Sequence, residues 1–192
     1  MPYCMRLMCQ GDVNQVTEID RETFPTMLPP ANFQRELYSP LAHYIVACGE
    51  EGKTAPTGAE IEKSGKQNIV GFAGFWIMSD EAHIVNLAVR QSYHRQGVGE
   101  LLLTSLIELA MEMKASLVTL EVRFSNTIAR ELYSKYGFTD RELKRGYYSD
   151  NREDAVIMTV DDINSSLYQI RLKRLKKAYS EKWGASPYQI VC

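Results

Sequence analysis

With 192 residues, 45% of them hydrophobic, the chain is long enough to form one globular domain with a substantial core. Its formal net charge of −2 argues against a surface that binds nucleic acid over its whole extent. The four cysteines form no CxxC pair and the three histidines are scattered, which predicts a reduced, cytoplasmic protein without a metal site. Residues 1–10 lack an export signature, and no apolar run approaches the roughly 20 residues of a membrane span.

Hydrophobic periodicity predicts alternating strands and helices along most of the chain. In order, the predicted elements are a strand at 3–9, a helix from Asp12 to about Phe24, a short helix at 32–38, strands at 42–48, 68–78 and 81–89, a helix at 97–113, a strand at 116–122, a helix at 126–136, and strands at 138–144 and 153–160. Asp12 and Gln15 resemble a capping box at the start of the first helix. This order predicts an α/β fold with a mixed sheet in a single domain.

Two segments differ in composition from the rest. Residues 49–67 are rich in Gly, Glu, Lys and Thr, which predicts a flexible insertion between two strands. Residues 161–192 contain a predicted helix with a basic surface and an apolar stripe formed by Leu172, Leu175, Tyr179 and Trp183. Packing through this stripe is the favoured interpretation, and docking of the basic face on ribosomal RNA or an acidic partner is the alternative.

The segment from Asn86 to Leu103 carries the clearest ligand signal. An apolar strand leads into a basic turn with two glycines, and the turn opens an amphipathic helix. Such a turn presents free backbone N–H groups at the positive end of a helix dipole, which suits a phosphate group. Gly97 and Gly99 are expected to let the ligand approach the backbone without meeting a Cβ. An ordinary strand-to-helix connection is the alternative.

Polar residues at the next strand and helix suggest a reactive cleft. Glu121 interrupts an apolar strand, where a carboxylate is costly unless it faces a cleft or is paired, for example with Arg123. Asn126 and Tyr133 are seven residues apart, so they lie on one side of the following helix. With Glu121 they are expected to line a cleft at the carboxyl edge of the sheet. A helix cap for Asn126 and a core position for Tyr133 are the alternatives.

These runs resemble a known family. Asn86 to Leu103 resembles motif A of the GCN5-related N-acetyltransferase (GNAT) superfamily, and Leu120 to Phe138 resembles its motif B. The sequence Arg145-Gly146-Tyr147-Tyr148, followed by Arg152 to Met158, is similar to the RimI branch, which acetylates the N-terminal alanine of a small-subunit ribosomal protein. The resemblance implies a GNAT-like domain over 1–160, with a twisted mixed sheet and strands splayed at an acetyl-CoA site. Residues 161–192 are then a C-terminal helical extension.

The resemblance also implies residue roles around acetyl-CoA. Its pyrophosphate would lie on the backbone amides of the turn from Arg95 to Gly99, and no metal is implied. The implied donor-binding residues are Leu87, Ala88, Val89, Arg95, Gln96, Gly97, Val98, Gly99, Glu100, Asn126 and Tyr133. Glu121 would be the general base and Tyr133 the general acid, in direct attack of a neutral amine on the thioester. His94 stands where the family pattern has Gln or Arg.

The implied acceptor is the α-amine of a protein or peptide N-terminus, with a ribosomal protein as the partner. Its groove is expected between the loop from Phe24 to Ala31 and the hairpin from Arg145 to Arg152. Phe24, Tyr147 and Tyr148 would line the groove, and ordinary hairpin packing is the alternative for the two tyrosines. Two other functions stay open: acetylation of lysine or a small amine, and a non-catalytic acyl-CoA-binding module that associates with ribosomes.

Overall fold

The computed structural model describes residues 3–26, 31–49 and 67–184, which form a seven-stranded sheet covered by helices on both faces. The strands are β1 (Cys4–Leu7), β2 (Ala42–Gly49), β3 (Asn68–Met78), β4 (Glu81–Val89), β5 (Leu117–Arg123), β6 (Thr139–Lys144) and β7 (Ala155–Val160). The helices are α1 (Val13–Thr23), α2 (Phe33–Glu36), α3 (Val98–Glu112), α4 (Thr127–Lys135) and α5 (Ser166–Trp183). The predicted α/β fold with a mixed sheet is confirmed. The predicted insertion at 49–67 lies, apart from its two end residues, outside the described residues.

The sheet opens between its two central strands. Its order is β1-β2-β3-β4-β5-β7-β6, and only β4 and β5 are parallel, because the crossover helix α3 connects them. Their pairing runs from Glu81 opposite Leu117 to Ile84 opposite Leu120 and stops there. Since β4 continues to Val89, its last five residues separate from β5. The predicted splayed strands are therefore present.

Each face of the sheet has its own hydrophobic cluster. Val16, Ile19 and Phe33 from α1 and α2 pack on one face. Leu102 and Leu106 of α3 pack on the other face, together with residues of α4 and α5. The α3 helix is buried on nearly all sides, although its sequence predicts a single apolar stripe, because α5 covers its outer surface.

The C-terminal helix α5 packs through the predicted stripe. Leu172 and Tyr179 are buried, and Leu175 and Trp183 are partly buried against the same cluster. The basic residues of α5 are partly engaged within the protein, since Arg171 donates to carbonyl groups at the end of α4. None of the helices among the described residues is long and apolar enough to cross a membrane.

The predicted capping box at the start of α1 is wrong. The Asp12 carboxylate accepts hydrogen bonds from the Arg6 guanidinium at 2.6 and 2.8 Å and from the Cys9 N–H at 2.9 Å. The Gln15 side chain instead accepts from the backbone N–H of Ile69 on β3. Asp12 therefore joins the start of α1 to β1, and Gln15 joins α1 to β3.

Candidate active site

The turn between β4 and α3 presents an open helix N-terminus. Gly97 precedes α3 with φ +82°, and none of the described side chains caps this helix. In contrast, Asn126 caps α4 and Ser165 caps α5. The first N–H groups of a helix have no intrahelical partner, and left-handed residues such as Arg95 (φ +58°) and Gly97 help to form anion-binding concavities. The turn therefore fits a phosphate group.

The structure gives Gly97 a role within the protein that differs from the sequence interpretation, whereas the role of Gly99 stays a prediction. A Cβ on Gly97 would lie 3.0 Å from the indole of Trp183, so the free side of this residue faces α5. A Cβ on Gly99 would make ordinary contacts at 3.8 and 3.9 Å with Val89 and Leu87. At position 97 glycine is required by the left-handed backbone and by the tryptophan.

Several residues expected to bind the donor have partners of their own. Gln96 accepts a hydrogen bond from the Tyr3 hydroxyl at 2.8 Å. Glu100 accepts one from the Tyr136 hydroxyl at 2.6 Å and pairs with Lys135, so its carboxylate joins α3 to α4. The side chains of these residues are therefore structural, which leaves backbone groups as their contribution to a ligand.

The strand residues expected to hold the pantetheine arm lie where β4 has left β5. Leu87 and Val89 pack towards α3, whereas Ala88 is buried towards α1. His94 turns back from the loop, and its Nε2 lies 2.8 Å from the Val89 carbonyl oxygen. This side chain, at the position where the family pattern has Gln or Arg, thus holds the end of β4 against the turn.

Glu121 lies directly after the point where β4 and β5 separate. Its Oε2 is 2.6 Å from His83 Nε2, and its Oε1 accepts a hydrogen bond from Lys144 Nζ at 3.1 Å. The side chain is 14% exposed. The hydrogen bond from His83 lowers the pKa of Glu121 against the opposing effect of burial, and Lys144 lowers it further. Glu121 is therefore a carboxylate at neutral pH, and its partners are His83 and Lys144 rather than Arg123, the alternative partner named from the sequence.

Sequence reasoning missed His83 and Lys144. His83 pairs with Thr119 across the parallel strands, so His83 and Glu121 point to the same face of the sheet. The hydrogen bond with Glu121 raises the pKa of His83 above its ordinary value, against burial. The register of β4 against β5 reveals this pairing, and local spacing alone does not contain it.

Two tyrosines, Tyr133 and Tyr148, are the next residues of the predicted site. Burial raises the pKa of Tyr133 to about 12, with a further contribution from Tyr148. Burial also raises the pKa of Tyr148 to about 12, although Arg123, 3.9 Å above its ring, opposes the shift and Glu121 adds to it. Tyr148 thus interacts electrostatically with both predicted catalytic residues, and Tyr133 keeps its proton at neutral pH. Asn126 acts as a helix cap, accepting from the Ala129 N–H at 3.2 Å.

A hydrogen bond joins the two segments expected to form the acceptor groove. Thr26 Oγ1 donates to Asp150 Oδ2 at 2.6 Å. This hydrogen bond links the chain that follows α1 to the hairpin between β6 and β7. Asp150 is also held by Arg123 at 2.8 Å. Phe24 packs on the α1 face, and Tyr147 is exposed with its ring 5.2 Å from that of Tyr148. Thr26 and the hairpin are therefore neighbours on the side of the sheet that carries Glu121, and residues 27–30 of the expected loop lie outside the described residues.

The fold and this site define an acyl-CoA-dependent transferase, and comparison gives the family. The sequence matches the model of the acetyltransferase (GNAT) family over residues 13–138. Because this match spans more than half of the chain, the protein belongs to the GNAT acetyltransferase family.

Individual relatives narrow the resemblance within the family. The chain is 38% identical over 157 residues, 81% of this chain and 93% of the relative, to a Bacillus subtilis (strain 168) protein provisionally named [ribosomal protein bS18]-alanine N-acetyltransferase. It is 30% identical to the Mycobacterium tuberculosis N-alpha-acetyltransferase RimI, covering 83% and 93% of the two chains. The crystal structure of the ribosomal-protein-S18-alanine N-acetyltransferase from Escherichia coli superposes with a TM-score of 0.66 at 27% identity, covering 83% and 94%. Arabidopsis thaliana NAA60 in complex with acetyl-CoA shares the fold, with a TM-score of 0.69 at 18% identity, covering 85% and 99%.

Proposed function

We propose that this protein transfers the acetyl group of acetyl-CoA to the α-amine of a protein N-terminus, with the N-terminal alanine of a ribosomal protein as acceptor in the cytoplasm. The names of the relatives from Bacillus subtilis and Mycobacterium tuberculosis support this acceptor class. The observation that carries the proposal is the position of Glu121, a charged carboxylate directly after the strands separate and beside the joined loop and hairpin.

The donor side of the proposal rests on the turn before α3. Backbone N–H groups at Val98, Gly99 and Glu100 are the first of a helix that no side chain caps, and they suit the pyrophosphate of acetyl-CoA. The pantetheine arm would follow Leu87 to Val89, with the Asn126 side-chain amide as a further contact. Bound there, acetyl-CoA supplies an activated thioester carbonyl.

The residues around Glu121 suit an amine of moderate pKa. A peptide α-amine has a pKa of about 8, so roughly one tenth is neutral at pH 7, whereas a lysine with pKa about 10.4 is neutral roughly once in 2,500 molecules. A carboxylate whose pKa is lowered by His83 and Lys144 is a weak base, so it favours the amine that more readily loses its proton. The pairing of Glu121 with His83 and Lys144 thus favours an N-terminal acceptor over lysine.

The reaction then proceeds by direct transfer. The amine nitrogen attacks the thioester carbon, and Glu121 receives the amine proton directly or through a water. As the carbon–sulfur bond breaks, the Tyr133 hydroxyl donates a hydrogen bond and then its proton to the leaving sulfur, and solvent restores that proton. Tyr133 suits this role because its pKa of about 12 keeps it protonated at neutral pH.

Two conservative variants test these assignments. Glu121→Gln and Tyr133→Phe are each expected to lower kcat by about 10²–10⁴, the usual contribution of general acid–base groups, while acetyl-CoA binding measured by calorimetry stays unchanged. Glu112→Gln and Tyr38→Phe, both exposed positions outside the proposed site, are the matched controls. Unchanged turnover in both Glu121→Gln and Tyr133→Phe would refute the catalytic roles.

A further inference from the structure

The end of the C-terminal helix lies on the turn that is proposed to hold the donor phosphates. The indole ring of Trp183, the last residue of α5, has three atoms 3.0 Å from the position that a Cβ of Gly97 would take. The ammonium group of Lys182 lies 4.8 Å from the centre of the same ring. The outer side of the turn is therefore covered by an aromatic side chain from a distant part of the sequence.

Contacts along the whole of α5 fix this arrangement. The Tyr168 hydroxyl donates to the Tyr136 carbonyl at 3.0 Å near the start of the helix. Lys176 pairs with Glu108 on α3, and Tyr179 is buried beside Glu100 at the other end of α3. Since positions 176 and 179 of α5 approach positions 108 and 100 of α3, the two helices run in opposite directions. The final turn of α5 therefore reaches the N-terminus of α3.

The position of Trp183 carries a cost that its packing must offset. Its Nε1 is buried and has no hydrogen-bond partner among the described residues. A buried donor without a partner costs about 1–3 kcal/mol. Gly97 also has a left-handed backbone at the same contact. The indole packs on Gly97 despite this cost. This packing restricts the turn to fewer conformations, and it keeps those that direct the N–H groups of the turn outward.

We propose that Trp183 is a positioning residue for the donor: by packing on Gly97, it holds the turn from Arg95 to Gly99 in the conformation that binds the phosphates of acetyl-CoA. This inference rests on the donor site of the proposed function. A preorganised turn binds more tightly because less conformational freedom is lost on binding. The C-terminal helix thus acts on donor affinity and leaves the chemical step at Glu121 and Tyr133 untouched.

Donor affinity in variants of the full chain tests this role. Trp183→Ala is expected to weaken acetyl-CoA binding by about tenfold in calorimetry, a factor that corresponds to about 1.4 kcal/mol. KM for acetyl-CoA rises and kcat is retained, whereas Trp183→Phe restores most of the affinity. Trp76→Ala, at the other end of the sheet, is the matched control with unchanged affinity. Circular dichroism confirms that each variant is folded at the temperature of measurement.

A double-mutant cycle gives an independent readout of the contact. In Gly97→Ala the added Cβ meets the indole, so removing the indole in Gly97→Ala/Trp183→Ala recovers part of the affinity that Gly97→Ala loses. Tryptophan fluorescence of Trp76→Phe, in which Trp183 is the remaining tryptophan, is expected to change on addition of acetyl-CoA.

The outcomes separate the two proposals. Equal affinity of the wild-type protein and folded Trp183→Ala, or additive effects in the cycle, would overturn the role of Trp183 and leave the donor site intact. Absence of acetyl-CoA binding by the wild-type protein would overturn both the donor site and the role of Trp183.

Discussion

Replacement of Asp20 by Asn is expected to stabilise the protein at neutral and alkaline pH. Asp20 lies on α1 with only 3% of its surface exposed. Its one described hydrogen-bond donor is the Asn86 side-chain amide at 3.4 Å, and Asn86 in turn accepts from the Tyr44 hydroxyl. Burial raises the pKa of Asp20 to about 6, with a small opposing effect from Arg21.

The sign and the magnitude of the change in the free energy of unfolding follow from proton linkage. The folded state holds the Asp20 proton more tightly than the unfolded state, so the charged carboxylate destabilises the fold above pH 6, and this penalty disappears below the unfolded pKa. With pKa values of about 6 folded and about 3.9 unfolded, the penalty is about 2.9 kcal/mol at pH 8 and about 1.5 kcal/mol at pH 5. Since Asn is neutral throughout, the advantage of Asp20→Asn shrinks by about 1.4 kcal/mol over this range.

Urea unfolding of both proteins at a series of pH values from 5 to 8 measures this difference, because all other groups titrate alike in the two chains. Asp12→Asn is a control of opposite sign. Burial raises the pKa of Asp12, but hydrogen bonds from Arg6 and Cys9 outweigh it, so the net shift is downward. This carboxylate stabilises the fold above its unfolded pKa and loses that effect as the pH falls. A constant difference between wild type and Asp20→Asn from pH 5 to 8 would refute the reasoning.

Three further variants have defined outcomes. His83→Gln is expected to lower the free energy of unfolding more at about pH 5.5 than at about pH 8.5. The reason is that the ion pair with Glu121 is present below the unfolded pKa of His83 and is lost as the pH rises through the raised folded pKa. Urea unfolding at both pH values checks this prediction. Thr26→Val removes the bond to Asp150 and should raise KM for the acceptor peptide about two- to tenfold in steady-state kinetics, with acetyl-CoA affinity unchanged. Gly99→Ala should stabilise the free protein by about 0.5–1 kcal/mol in thermal unfolding, since its Cβ meets only ordinary contacts; a lower melting temperature would contradict this.

Local pattern was sufficient to predict the elements of the fold. The 3.6-residue and two-residue periodicities gave the helices and strands in order, and Gly137, with φ +96°, ends α4 as expected. The capping box of Asp12 and Gln15 failed because spacing cannot show which partner a side chain prefers. The extra burial of α3 could not be seen either, since it depends on where α5 packs.

The candidate site was predictable only in part, because local pattern does not show contacts between elements that are distant in sequence. Glu121 and Tyr133 were predicted because a carboxylate in an apolar strand is unusual and because the surrounding motifs resemble a family, and their catalytic roles stay a prediction. Their neighbours His83 and Lys144 come from strands distant in sequence, and only the register of the sheet brings them to Glu121. Trp183 was predicted as part of an apolar stripe, but its contact with the donor turn depends on the direction of α5 along α3.

Docking of the basic face of α5 on ribosomal RNA, the alternative to packing through its apolar stripe, is untested. Arg171 and Lys176 are engaged within the protein and Lys177 pairs with Glu181, which leaves Lys173, Arg174 and Lys182 as the exposed basic residues of α5 without an ion pair among the described residues. This alternative predicts salt-dependent binding to ribosomes that is weakened by neutralising these three residues.

The most direct test of acetyl transfer to an N-terminal amine uses two peptides that differ in their amines. One peptide starts with a free alanine and contains no lysine, and the other has the same sequence with a blocked N-terminus and one internal lysine. After incubation with the protein and acetyl-CoA at pH 7, mass spectrometry should show acetylation of the first peptide and little or none of the second. Acetylation of the lysine peptide alone, or of neither peptide, would contradict the proposed function.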